Sequence, residues 1–122
     1  MNVGTVGWID ITVDDADGLR DFYATVTGWT PSNVDMGDYN DYAMMTPDGS
    51  EAAAGICHSR GSNANQPKSW LIYIVVADAA VSAAACVEKG GKVLVEPKPL
   101  GDAIFCVIED PSGAVAALYQ AS

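Results

Sequence analysis

The alternation of apolar and polar residues begins in the segment GWIDITVDD, where Ile9, Ile11 and Val13 alternate with polar or aromatic residues. A period of two is typical of a β-strand whose two faces have different surroundings. Asp15 then occupies a helix N-cap position. The apolar residues that follow are spaced as on one helical face: Leu19, Phe22, Tyr23 and Val26. Gly28 ends the pattern, since glycine readily adopts the left-handed conformation after a helix, so a strand and a helix are predicted.

The same pattern returns 63 residues later, in LIYIVVADAAVSAAACVEKGGKV. There Asp78 takes the place of Asp15 and Gly91 takes the place of Gly28, with a second helix predicted from about Ala79 to Lys89. Further along, the segments TPDGSEAAA and DPSGAVAAL match at an offset of 64 residues. One inserted or deleted residue reconciles the two offsets, so the sequence predicts an internal duplication.

Three shorter strand-like segments complete each half. They run from about Thr30 to Met36, Asp41 to Thr46 and Glu51 to His58, and then from about Lys92 to Pro97, Ala103 to Glu109 and Ala114 to Gln120. The Pro-Asp-Gly and Pro-Ser-Gly segments contain tight-turn residues, so the third and fourth strands of each half should form hairpins. The predicted fold is α+β: two tandem βαβββ modules, about 1–58 and 70–122, joined by a polar linker at about 59–69, form one domain with a sheet-lined cleft.

Composition narrows the possible partners and location. A length of 122 residues suits one compact domain, and no apolar segment predicts a membrane span. The N-terminal segment lacks a secretory-signal pattern, so a cytoplasmic location is expected. A net charge of −10 would repel phosphate backbones and anionic membranes, which disfavours nucleic-acid and membrane binding. The cysteines are odd in number and show no CxxC spacing, which argues against a disulfide framework and against a structural zinc site. They are Cys57, Cys86 and Cys106.

The duplicated order, with D…FY…GW after the first strand, D…GGKV after the fifth and DPSG before the last, resembles the vicinal oxygen chelate superfamily. That superfamily includes glyoxalases, bleomycin- and fosfomycin-resistance proteins, extradiol dioxygenases and methylmalonyl-CoA epimerases. The resemblance covers essentially the whole chain. It implies a cleft that holds a divalent metal in members with chemistry, and it implies a homodimer.

The metal positions implied by this resemblance carry no suitable donor atoms here. They fall on Trp8, Leu71 and Ala117, and near Ala53. Because a divalent metal needs several converging N, O or S donors, the sequence predicts no metal and no other cofactor. A metal site at different positions would have to combine the single histidine, His58, with Asp10, Cys57 or Glu51.

The cleft lining follows from strand alternation. The aliphatic residues of the first strand suit a helix-packed core, so Trp8 and Asp10 are assigned to the cleft. On the third strand, Tyr42 and Met44 are preferred over Ala43 and Met45, because they continue an aromatic lining. The predicted ligand-binding residues are Trp8, Asp10, Tyr42, Met44, Tyr73 and Tyr119.

Asp10 is the most informative of these residues, because a carboxylate within an apolar strand costs stability unless it is paired, hydrated or functional. It either orders the cleft by hydrogen bonding or contacts a ligand. Cys57 and His58 are adjacent and should point to opposite faces, with the cleft-facing residue left open. His58 is interpreted as exposed at the start of the linker, and Trp29 and Trp70 as structural packing.

Three functions compete. The first is a metal-independent protein that holds an aromatic or apolar small molecule in its cleft. The second is an enzyme, lyase-, isomerase- or dioxygenase-like, with Asp10 and Tyr73 as catalytic candidates or with a noncanonical metal site. The third is an interaction module whose sheet serves dimerisation. The identity of the ligand, and whether the modules pair within one chain or by swapping, stay open.

Overall fold

The computed structural model describes residues 2–61, 64 and 67–122, and part of the predicted linker therefore lies outside the described residues. Within them, eight strands and two helices follow the order βαβββ twice, which confirms the predicted α+β class and duplication. The elements are β1 (Val6–Val13), α1 (Ala16–Thr27), β2 (Thr30–Asp35), β3 (Asn40–Met45), β4 (Ala52–His58), β5 (Leu71–Val75), α2 (Ala79–Glu88), β6 (Lys92–Leu100), β7 (Ala103–Glu109) and β8 (Val115–Gln120).

The chain divides into two compact units. The first unit is Ile9–Trp70, and the second unit is Met1–Trp8 together with Leu71–Ser122. The start of the chain belongs to the second unit because its backbone pairs with β5: Gly4 N–H donates to the Val75 carbonyl at 2.7 Å. The sequence had assigned this segment to the first module.

In the first unit the strand order is β2-β3-β4-β1, with β1 parallel to β4 and the other pairs antiparallel. The Asp15 carboxylate accepts a hydrogen bond from Gly18 N–H at 2.9 Å, and Gly28 has a φ of 82°, so both predicted ends of α1 are confirmed. The predicted apolar face of α1 is only partly covered. Leu19 and Tyr23 pack against the core, whereas Phe22 and Val26 are exposed.

In the second unit the strand order is β5-β8-β7-β6, with β5 parallel to β8. The Asp78 carboxylate caps α2 by accepting from Val81 N–H. The left-handed residue that follows α2 is Gly90, with a φ of 95°, and not Gly91 as the repeat implied. Gly91 serves close packing instead, since a Cβ there would lie 2.6 Å from the Cys86 sulfur.

Both predicted hairpins are confirmed, because β3–β4 and β7–β8 pair antiparallel. β6 continues to Leu100, beyond its predicted end, and contains Pro97 and Pro99. Prolines are tolerated at this place because β6 is the last strand in the sheet order of its unit. No helix in the described part of the chain is long and apolar enough to cross a membrane.

Candidate functional site

The pairing registers show which positions of the two modules correspond. Asp10 of β1 lies opposite Gly55 of β4, and Tyr73 of β5 lies opposite Ala117 of β8. Gly55 is therefore the counterpart of Ala117. The sequence placed that counterpart near Ala53. One residue of this two-residue difference is the extra residue that β4 holds at the register shift between Met44 and Met45, and the other lies in the longer turn before β4.

The residues at the implied metal positions do not fit a metal. Trp8, Leu71 and Ala117 all belong to or pack against one hydrophobic cluster, and Gly55 offers no side-chain donor. Across the described residues, no group of three or more His, Cys, Asp or Glu side chains is arranged to hold a metal ion. Because these positions lack donor atoms, they do not fit the metal that the resemblance implies.

The sheet face of the second unit opposite α2 is apolar and aromatic. Its buried cluster consists of Leu71, Tyr73, Phe105, Val107 and Ala117. Trp8 and Tyr119 are half-buried and pack against it. Three predicted ligand-binding residues, Trp8, Tyr73 and Tyr119, are thus brought together on one surface. We call this surface the apolar face.

The corresponding face of the first unit, opposite α1, is polar. Asp10, Thr12, Asp41 and Cys57 alternate in sequence with the residues that pack towards α1. Asp41 is buried, and its carboxylate accepts a hydrogen bond from His58 N–H at 2.8 Å. Burial, with Asp10 and Asp41 nearby, raises the pKa of the Cys57 thiol, so Cys57 stays protonated and is not a nucleophile at neutral pH.

Tyr42 and Met44 lie on the face of β3 that packs against α1, which corrects their assignment to the cleft side. Tyr42 is opposite Ile56, which in turn is opposite Ile11, and all three therefore share the α1-facing side. The aromatic lining suggested by the sequence is interrupted at β3 because strand register, not residue type, sets the face of each side chain.

His58 is largely buried, which corrects its interpretation as an exposed residue at the start of the linker. Its imidazole is 16% exposed, with Nε2 3.5 Å from Asp17 Oδ1 and Nδ1 3.4 Å from Asp41 Oδ1. Among the described residues, Nδ1 is buried and has no hydrogen-bond partner. Tyr42 O–H donates to the same Asp17 oxygen, so Asp17, Tyr42 and His58 form one polar cluster beside α1.

Electrostatics in this cluster favour an ionised Asp17. The hydrogen bond from Tyr42 lowers the pKa of Asp17, and His58 and Arg20 add to the shift. The same hydrogen bond, together with burial, raises the pKa of Tyr42. Arg20 stacks over the Tyr42 ring at 4.7 Å. This arrangement holds the Tyr42 phenol neutral and in place as a donor.

A separate pocket of about 290 Å³ opens within the first unit. It is lined by Ile9, Tyr23, Trp29, Ala53, Ala54 and Trp70. Trp70 Nε1 donates to the Tyr23 hydroxyl at 3.1 Å, and the rings of Trp29 and Trp70 meet edge to face. From the sequence, both tryptophans are interpreted as packing residues. Nothing in the neighbouring sequence indicates that two alanines of β4 line the same space.

The polar cluster of Asp17, Tyr42 and His58 is not predicted from the sequence. Its members are far apart in sequence, and only the placement of β3 and β4 beside α1 brings them together. The one available signal was the single histidine, placed at the end of a predicted strand and three residues after Gly55 in a chain rich in carboxylates.

A family model for the Glyoxalase/Bleomycin resistance protein/Dioxygenase superfamily matches residues 5–118. This match confirms the resemblance found from the sequence, and it covers both modules.

Curated proteins similar to the chain are longer than it is. A Mycobacterium bovis protein named "Putative glyoxylase CFP32" is 32% identical over 121 residues, which covers 98% of this chain and 46% of that protein. The "Anthracycline biosynthesis protein DauV" of a Streptomyces species is 27% identical and is covered over 47% of its length. The chain thus spans about half the length of these relatives.

Solved structures share the fold. A Streptomyces coelicolor methylmalonyl-CoA epimerase in complex with 2-nitronate-propionyl-CoA is 18% identical, with a TM-score of 0.59 and coverage of 99% of both chains. A Mycobacterium tuberculosis methylmalonyl-CoA epimerase is 15% identical, with a TM-score of 0.57 and coverage of 100% of this chain and 93% of that one. At these identities the likeness concerns the fold alone.

Proposed function

The chain belongs to the glyoxalase/bleomycin resistance protein/dioxygenase superfamily, and from that premise we propose that it binds an aromatic or apolar small molecule without a metal. The apolar face of the second unit, with Trp8, Tyr73 and Tyr119, provides the binding surface. Asp10 remains a predicted polar contact for the ligand.

One observation carries this proposal. Three of the four positions that the resemblance assigns to metal ligands, Trp8, Leu71 and Ala117, here belong to, or pack against, a cluster of apolar and aromatic side chains. Such a surface gains free energy by removing the apolar area of a ligand from water, and its half-buried aromatic rings add specific ring contacts. The relatives named for anthracycline biosynthesis fit this proposal, because anthracyclines are flat fused-ring molecules.

The test is a titration of the protein with a panel of flat aromatic compounds, followed by tryptophan fluorescence and calorimetry. Tyr73→Leu keeps apolar packing but removes the ring, and we expect it to weaken binding roughly tenfold. Ile72→Leu, at the partly exposed neighbouring position on β5, is the matched control and should bind as the wild type does. A panel without a saturable response, or equal binding by Tyr73→Leu, contradicts the proposal.

A second candidate is acid–base catalysis, and the carboxylates of Asp10 and Asp41 near Cys57 favour it, because a positioned carboxylate can act as a general base. Asp10 and Tyr73 stay predicted catalytic residues. Since the fold neighbours are methylmalonyl-CoA epimerases, the reaction to test is proton removal next to the carbonyl of a CoA ester. Incubation with methylmalonyl-CoA in D2O would replace that proton by deuterium. Asp10→Asn should abolish the exchange while Asp14→Asn retains it, and equal exchange removes Asp10 from the reaction.

We also propose a homodimer, as the resemblance implies. The mass measured by light scattering should then be twice the chain mass of 12.7 kDa. A mass of one chain at micromolar concentration would contradict it. A cytoplasmic location stays a prediction.

A further inference from the structure

The pocket beside α1 is a second apolar surface, distinct in its residues from the apolar face. Three aromatic rings from separate parts of the first unit line it: Tyr23 on α1, Trp29 before β2 and Trp70 before β5. Their centroids lie 5.3 to 6.1 Å apart. The rings are therefore in contact with one another along the wall of the pocket.

Two small residues also line this pocket. Ala53 and Ala54 of β4 line it, at the register shift where β4 holds its extra residue. A larger side chain at this bulge would fill the space that the aromatic rings leave. The pocket thus results from a local irregularity of β4 combined with two short side chains.

The lining favours a neutral ligand, because none of its six residues carries a charge. Removing an ion from water into such surroundings would be unfavourable. A volume of about 290 Å³ exceeds the roughly 150 Å³ of an engineered cavity that binds benzene. It therefore suits a molecule of one or two fused rings.

The Tyr23 hydroxyl gives this pocket one polar group. Its oxygen accepts the hydrogen bond from Trp70 Nε1 at 3.1 Å, which fixes its orientation. Its own proton has no acceptor among the described residues. It can therefore donate to an oxygen atom of a bound molecule.

We propose that this pocket is a second binding site, specific for a neutral mono- or bicyclic aromatic molecule that carries one hydrogen-bond acceptor. The rings of Trp29 and Trp70 contact the flat ligand, and Tyr23 donates to its acceptor. The site goes beyond the function proposed for the apolar face and does not depend on it.

The three tryptophans allow the two sites to be separated in one experiment. Their indole N–H signals in a ¹⁵N-labelled protein, assigned by Trp-to-Phe variants, report on Trp8 at the apolar face and on Trp29 and Trp70 at the pocket. The probe is 2-methoxynaphthalene. We expect saturable shifts of Trp29 and Trp70. Ala53→Leu, which fills the pocket, should abolish them, and Ala52→Leu at the exposed neighbouring position should not.

Each outcome assigns or removes one site. Saturable shifts confined to Trp8 overturn the pocket proposal and leave the proposed function standing. Shifts confined to Trp29 and Trp70 support the pocket and show that this compound does not bind at the apolar face. Unchanged signals at Trp29 and Trp70 contradict the pocket proposal. A Trp29 shift that persists in a folded Ala53→Leu protein also contradicts it.

The role of the Tyr23 hydroxyl is tested by comparing 2-methoxynaphthalene with 2-ethylnaphthalene, which has a similar shape but no acceptor. The wild type should prefer the methoxy compound roughly threefold to tenfold, the ratio that one hydrogen bond supplies. Tyr23→Phe should abolish the preference while still binding both compounds. An equal preference in both proteins would overturn the assigned donor.

Discussion

The two modules share one backbone plan but present different side chains at matching positions. On the sheet face opposite the helix, the registers align Asp10 with Tyr73 and Asp41 with Phe105. Asp41 and Phe105 are both buried, yet one is a carboxylate and the other a phenyl ring. Duplication therefore conserved the strand pairing and left each face free to acquire its own chemistry, polar in the first unit and aromatic in the second.

The helix-facing sides differ in the same sense. Asp17, Tyr42 and His58 form the polar cluster of the first unit. The corresponding residues of the second unit are Ala80, Cys106 and Gln120, and there Gln120 accepts a hydrogen bond from the backbone of Ala79 near the N-terminus of α2. His58, at the end of β4, thus contacts the side chain of Asp17. Its counterpart Gln120, at the end of β8, contacts the backbone of α2 instead.

The largest expected effect tests the aromatic half of this comparison. Phe105→Ala should lower the free energy of unfolding by about 3–5 kcal/mol, because it leaves a cavity in the buried cluster. Phe22→Ala, at an exposed position of α1, should stay within about 0.5 kcal/mol of the wild type. Urea unfolding measures both, and similar losses would show that Phe105 is not packed in the buried cluster.

The next effect concerns the buried carboxylate that matches Phe105. Asp41→Ala should cost about 1–3 kcal/mol, because His58 N–H loses its acceptor in a buried position. Asp14→Ala, which breaks only an exposed pair with Lys68, should cost about 0.5 kcal/mol or less. If the two variants unfold at the same urea concentration, Asp41 does not stabilise the end of β4.

The polar cluster should give a smaller, pH-dependent effect. The pKa of Asp17 is lowered in the folded protein, so its contribution to stability is present above the unfolded pKa and is lost as the pH falls through the folded pKa. Tyr42→Phe should raise the Asp17 pKa and weaken this dependence. NMR titration of the carboxyl carbon measures the shift, with Tyr39→Phe as control, and an unchanged Asp17 pKa would exclude the Tyr42 hydrogen bond as its cause.

The smallest effect compares the two hairpin turns. Hydrogen bonds from Thr46 and Ser50 lower the pKa of Asp48 to about 2, and Ser112 lowers that of Asp110 in the second turn. Ser50→Ala should raise the pKa of Asp48 and leave Asp110 unchanged, and Ser112→Ala should do the reverse. A carboxyl titration by NMR resolves the two, and a shift of both by either variant would show that the turns are coupled.

Much of the fold was predictable because its signals are local. Alternation identified β1 and β5, Asp15 and Asp78 marked the helix starts, and the turn residues identified both hairpins. The site was less predictable. Trp8, Tyr73 and Tyr119 lie on one surface as expected, but Tyr42 was assigned to the wrong face because the registers of β3 and β4 are not visible in the sequence.

The sequence by itself determined the duplicated βαβββ order, since this order follows from residue type and spacing, and its motifs carry the resemblance to the superfamily. It also determined that Trp8, Leu71 and Ala117 offer no metal donors, whereas the strand register placed the fourth implied position at Gly55. Only the tertiary structure decided the face to which Tyr42 and Met44 belong, the burial of His58 between two carboxylates, and the pocket beside α1. The physical reason is that strand register and the packing of α1 on β3 and β4 decide which side chains meet, and neither can be seen in the pattern along the chain.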